Sequence, residues 1–134
     1  MAEQMRPSLF LLFNHTLTAA QEADARASLG VVRVIQAPPD IREVWSKVPP
    51  ALAELTSHLR PVFAWLRAEA EDGDFILVQG DFGAVYLIVD FALASGFIPV
   101  YSTTEREAVE EHLPDGSVRL IHQFRHRRFR EYGR

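Results

Sequence analysis

Cysteine is absent from the 134 residues. That excludes disulfides, thiolate metal sites and a catalytic thiol, and it suits a reducing compartment. Histidines number only five, and no two histidines or carboxylates stand at i, i+4 spacing beside a candidate crevice, so no metal is expected. Neither a glycine-rich dinucleotide fingerprint nor a P-loop occurs. The longest apolar stretch is broken by Asp90, Gly96 and Pro99 before it reaches the length of a membrane span. No basic, apolar leader precedes Ser8. A soluble, cytoplasmic chain with no cofactor and no membrane partner is the expectation.

What is present is enough for one core. With 48% hydrophobic and 24% charged residues, a chain of this length is expected to form a single domain, too small for a second. The net charge of −4 argues against long nucleic acid as a partner, but the charge is uneven. From Ser117 to Arg134 six arginines face Glu131 alone, a local +5, whereas the preceding residues hold 8 cations against 17 acids, −9. Such asymmetry suits either a small anionic partner or a solvated basic tail.

The stretch Asp74–Gly96 organises the rest. Phe75 to Val78 is a continuous apolar run, Gly80 and Gly83 bracket a turn, and Ala84 to Ala94 is apolar on nearly every side before Gly96. The pattern predicts strand, phosphate-sized loop and buried helix. Loops leaving the carboxyl ends of parallel strands line the ligand crevice, and the following helix aims free N–H groups and its positive dipole end there. The candidate site is therefore Gln79, Gly80, Asp81, Phe82 and Gly83. The plainer reading is a connecting turn, with Asp81 as helix cap and Phe82 as a plug in the crevice wall.

Taken in order, Ser8 to Phe13 reads as a central parallel strand, and Thr18 with Gln21 as a capping box for a helix to about Leu29, stopped by Gly30. Val31 to Gln36 is a second strand. Asp40 is expected to cap a short helix bearing Ile41, Val44, Trp45 and Val48. Pro49-Pro50 should start a longer one, kinked or divided at Pro61. Trp45 and Trp65 read as packing residues. Phe97 to Tyr101 is a fourth strand, with Pro99 placing it near the sheet edge. Beyond it Glu105–Leu113 has helical propensity, with Thr104 and Glu107 as a capping box. Yet Pro114-Asp115-Gly116 and the alternation of Val118, Leu120 and Phe124 favour a β-hairpin.

Right-handed crossovers then give an open sheet ordered 2-1-3-4, extended by the hairpin, with its switch point between strands one and three. The loop Asn14-His15-Thr16 and the turn Gln79–Gly83 should flank that point, joined by Thr103, Thr104 and Arg106 from strand four. His15 has the titration range for proton transfer, and Arg106 is the expected phosphate partner. The helix after Gly83 is more apolar than one sheet face requires, which points to a twofold homodimer bringing two crevices together.

Four segments carry a resemblance: Asn14-His15-Thr16-Leu17, the run from Gln79 to Tyr86, Thr103-Thr104-Glu105-Arg106, and the closing run from Phe124 to Tyr132. Together they resemble the small, single-domain CRISPR-associated ring nucleases of type III systems. The resemblance covers most of the chain and implies an α/β, Rossmann-like (CARF-like) three-layer domain spanning residues 1–134, with a mainly parallel sheet and a C-terminal hairpin. It also implies a homodimer that binds cyclic oligoadenylate, usually cyclic tetra-adenylate, on its twofold axis.

The implied reaction is a metal-independent in-line attack of a ribose 2′-hydroxyl on the adjoining phosphorus, leaving linear products with 2′,3′-cyclic phosphate ends. It removes the second messenger and switches off antiviral signalling. In this scheme His15 transfers a proton, and Arg106 with the amides of Gly80 to Gly83 holds phosphate. Asn14, Thr16, Thr103 and Thr104 position the ring, Gln79, Asp81 and Phe82 meet ribose or base, and Asp81 stands with His15 and Arg106 as the implied catalytic set. His126 is a second candidate acid or base. Two alternatives use the same residues differently: a protein that sequesters the ring without cutting it, and a protein-interaction domain built on the apolar helix and basic tail.

Overall fold

The computed structural model describes residues 6–134; the reading of the segment before Ser8 falls mostly on the first five residues, outside the described ones. Five strands form one sheet: β1 (Ser8–Leu12), β2 (Arg33–Gln36), β3 (Phe75–Val78), β4 (Ile98–His112) and β5 (Val118–Glu131). Their spatial order is β2-β1-β3-β4-β5. The first four run parallel and β5 is antiparallel to β4. The 2-1-3-4 order with an added hairpin is therefore the arrangement found.

Every residue of β1 and β3 is buried, because parallel central strands are covered on both faces. On one face Leu9, Leu11, Leu77 and Val100 pack with Ala25, Val31 and Phe129 under α1 (Ala19–Asp24). On the other, Phe10, Leu12, Ile76 and Val78 meet α2 (Pro39–Ser46), α3 (Arg60–Glu69) and α4 (Phe82–Ala94). Trp65 meets Phe10 edge-on at 5.6 Å. No helix among the described residues is long and apolar enough to cross a membrane.

The Thr18–Gln21 capping box forms, with Thr18 Oγ1 accepting the Gln21 N–H at 3.1 Å and Gln21 Oε1 accepting the Thr18 N–H at 2.9 Å. The helix it starts is not regular to its end. After Asp24 it widens into a π-helical turn, Ala25–Leu29, which Gly30 closes at φ 72°.

Several expectations are corrected. Asp40 caps nothing: α2 begins at Pro39 with no side-chain cap, leaving Asp40 in its first turn. No long helix starts at Pro49-Pro50, and Pro61 divides nothing; it occupies the first turn of α3, where a missing N–H costs no hydrogen bond. The fourth strand does lie near the sheet edge, one strand in, with β5 pairing along nearly its whole length. Pro99 is accommodated because its carbonyl accepts the Tyr132 N–H at 3.0 Å and its nitrogen faces the level at which β5 has already ended. The favoured β-hairpin forms, so Glu105–His112 is strand rather than helix; what changes is its extent, because Thr103, Thr104 and Arg106 belong to β4 itself, which runs past the sheet as a two-stranded ribbon.

Gly96 stops α4 at φ 82°, and a β-carbon there would lie 1.9 Å from Asp72 Oδ1. The carboxylate can swing away, whereas the left-handed backbone cannot be relieved. Gly96→Ala is expected to lower unfolding stability by about 1 kcal/mol even in an Asp72→Ala background. Urea denaturation of the single and double variants checks this, and an unchanged midpoint in the double variant would count against it.

Candidate functional site

The loops at the carboxyl ends of the parallel strands hold the candidate residues, but in three places. Asn14, His15 and Thr16 form an exposed bend after β1. With Gln36, Pro39, Arg42, Glu43, Ser46 and Lys47 they line a cavity of about 630 Å³. This cavity lies at the ends of β1 and β2, one strand away from the expected switch point. Lys47 is paired with Glu43 at 3.2 Å, whereas Arg42 has no ion pair among the described residues. Arg42 is therefore the cation available beside His15. The sequence signal was faint, an arginine in the first turn of a helix opened by Pro38-Pro39.

The turn after β3 is the second place. Asp81 Oδ2 accepts the Ala84 N–H at 3.0 Å, so its carboxylate caps α4 and favours the positive end of the helix dipole. Gly80 sits against the Trp45 indole, whose Nε1 donates to the Gln79 carbonyl at 2.9 Å. Trp45 is thus a packing residue that also fixes the turn. Phe82 is 94% exposed and Tyr86 72%; Phe82 plugs nothing in one chain. A second cavity, about 490 Å³, joins Asp81, Gly83 and Tyr86 to Val48, Pro49 and Leu52.

The third place is under α1. Gln79 Oε1 accepts the Ser102 N–H at 2.7 Å. Ser102 Oγ lies 2.6 Å from His126 Nδ1, and His126 Nε2 lies 2.6 Å from Asp24 Oδ2. A register shift between Thr103 and Thr104 leaves Arg127 unpaired opposite them. This bulge turns His126 to the same face as the buried Phe129, with ring centroids 4.6 Å apart. Thr103 Oγ1 closes the bulge with the Arg128 backbone, donating to its carbonyl at 3.1 Å. Hydrogen bonds from Ser28 and His126 hold the Asp24 carboxyl below its usual 3.8, aided by the nearby Arg128 charge.

Arg106 is exposed on the ribbon opposite Phe124, four residues past Ser102 and so roughly 13 Å along the strand. It is apart from all three places. Thr104 is likewise exposed, level with His126. Among the described residues no three His, Cys, Asp or Glu side chains gather as a metal-ligating group.

A family model described as "Uncharacterized protein MJ1673 family" matches residues 7–130. The chain belongs to the MJ1673 family. The MJ1673 protein of Methanocaldococcus jannaschii is 43% identical over 126 residues, covering 94% of this chain and 97% of its own length. No solved structure matches. In this MJ1673-family chain the residues that sequence reasoning missed are Arg42, Ser102 and Asp24. Nothing local marks the last two, since they are linked only through His126, which a strand bulge turns towards them.

A group whose folded pKa is depressed contributes stability above its unfolded value and loses it as pH falls through the folded one. Asp24 is such a group. Wild-type protein should therefore lose thermal stability below about pH 4 more steeply than Asp24→Asn, a window set by the unfolded carboxyl pKa of about 3.9. Melting curves at pH 7 and pH 3 check this; parallel losses would contradict it.

Proposed function

We propose that this protein is a metal-independent ring nuclease that opens cyclic oligoadenylate, cyclic tetra-adenylate first, to linear products with 2′,3′-cyclic phosphate ends. It would end type III CRISPR signalling in the cytoplasm. The single observation that carries the reading is the cavity at the carboxyl ends of β1 and β2. A histidine, an amide and a hydroxyl from one loop share a cavity with Arg42, which has no ion pair among the described residues, one strand from the Asp81-capped start of α4. A Rossmann-like, CARF-like assignment accords with the 2-1-3-4 order and helices on both faces.

The chemistry suits such residues because the nucleophile belongs to the substrate. The protein must hold the 2′-hydroxyl in line with phosphorus and stabilise charge on the phosphoryl oxygens. Arg42 presents a planar fork to two phosphate oxygens, and His15 donates a proton to the leaving 5′-oxygen. Gln79, Gly80 and Gly83, on the turn after the neighbouring strand β3, would meet the part of the ring that extends beyond this cavity. A ring with internal symmetry fits a twofold homodimer. Phe82 and Tyr86 at 94% and 72% exposure, with Leu93 at 56%, supply an apolar α4 face that begins beside the turn and would set two crevices together.

Purified protein with chelator, given cyclic tri-, tetra- and hexa-adenylate in large molar excess, should give multiple turnovers of one ring size. Rings bound but intact would leave only sequestration, and no binding would end the proposal. His15→Ala should lower kcat on the order of 10²-fold or more. Arg42→Ala should raise KM by about 10- to 150-fold, the loss of one charge-assisted contact of about 1.5–3 kcal/mol. Light scattering should give twice the chain mass for wild type, and Tyr86→Glu should shift it towards the monomer; a monomeric wild type would remove the dimer from the scheme.

A further inference from the structure

The hydrogen-bonded chain Asp24–His126–Ser102 is more than the fold of α1 against the ribbon requires. Only 6% of the His126 side chain is exposed, against 24% of Asp24, and taking the imidazole out of water carries a desolvation cost that an apolar contact would avoid. The hydrogen-bond inventory fixes how the protons are arranged. Asp24, held ionised, can only accept. His126 Nε2 must therefore carry the proton of the 2.6 Å bond to Asp24 Oδ2. In the neutral ring Nδ1 is then an acceptor, and the Ser102 hydroxyl donates to it at 2.6 Å.

One lone pair of Ser102 Oγ accepts from Gln21 Nε2 at 3.2 Å. The other has no partner among the described residues. Ser102 is itself only part-buried, and its N–H grips the side chain of Gln79 at the head of the α4 turn. The free lone pair thus belongs to a hydroxyl already polarised by an imidazole and a carboxylate, on a residue that holds Gln79, one of those assigned to the ring.

We propose that Ser102 Oγ is the group that takes the proton from the attacking 2′-hydroxyl, with His126 as the sink and Asp24 as its counter-ion. This rests on the ring-nuclease reading. As the 2′-oxygen forms its bond to phosphorus, its proton passes to Ser102 Oγ and the Ser102 proton passes to His126 Nδ1. The imidazolium formed is stabilised by Asp24. The bond from phosphorus to the 5′-oxygen breaks, and that oxygen takes a proton from His15 in its imidazolium form. Ser102 is the catalytic residue; His126 and Asp24 act through it as positioning residues. The bulge at Arg127 is the local irregularity that turns His126 towards Ser102 and Asp24.

The charged groups around His126 are few. Asp24 faces it from α1, Arg128 on its own strand acts on Asp24, and Glu105 is engaged with Arg127 at 3.6 Å. Neutral Ser102 and Gln21 complete the surroundings.

The test is kcat, KM and ring affinity between pH 5 and 9 for wild type, Ser102→Ala, Ser102→Thr, His126→Gln and Asp24→Asn, on cyclic tetra-adenylate. Ser102→Ala should lose on the order of 10²-fold or more in kcat with KM and ring affinity within a few-fold, and Ser102→Thr should restore much of the loss. His126→Gln and Asp24→Asn should each lower kcat in the same direction, again with ring affinity within a few-fold. If wild type turns over and Ser102→Ala keeps its kcat, the relay is overturned while the ring-nuclease reading stands. If wild type itself never cleaves, both fall together. Nitrogen-detected NMR of the free protein gives an independent check: protonation of His126 at Nδ1 rather than Nε2 at pH 8 also overturns the proposal.

Discussion

The pairing of β1 with β3 is the constraint on which the structure rests. Both strands are buried end to end, so each needs a layer of helix above and below, and their polar backbone finds its partners only within the sheet. Leu9 to Leu12 lie opposite Phe75 to Val78 without a break in register. Asp74 secures the entry, its carboxylate oxygens accepting the N–H groups of Ser8 and Glu71 at 2.9 and 2.8 Å. With the two strands locked from that end, everything polar in their loops is delivered to the opposite edge.

That delivery explains why the edge is chemically rich in so small a protein. The β1 loop leads into the capping box of α1, the β3 turn into the Asp81 cap of α4, and α2 leans Trp45 onto Gln79. Each contact satisfies a backbone group at a helix or strand end. Together they leave His15 and Arg42 open on one side of the edge and Ser102 on the other.

Much of this was legible in the chain. Strand runs at Ser8 and Phe75, the Thr18–Gln21 box, Gly30, Gly96 and the Pro114-Asp115-Gly116 turn each carry a local physical signal, and right-handed crossover gave the strand order. The misreadings share a cause. Pro61 can end, kink or begin an element, and only its neighbours decide which: it opens α3. Arg106 looked like a phosphate ligand because a short fourth strand would have put it in a loop. One continuous β4 carries it away. The link from Ser102 to Asp24 through His126 depends on a one-residue slip between paired strands, which no periodicity announces.

The ribbon beyond Ser102 is built unlike the rest. Its outer face is laced by Glu105–Arg127, Glu107–Arg125 and Glu111–Arg119, and Val118, Leu120 and Phe124 remain exposed. Exposed ion pairs contribute at most about 1 kcal/mol each and weaken with salt. Among the described residues no apolar core lies under the tip to make up the difference. On that ground the arm should open from Pro114 inward before the sheet does, as a zipper opens, and the bulge that aims His126 stands where this thinly held pairing meets the packed Phe129.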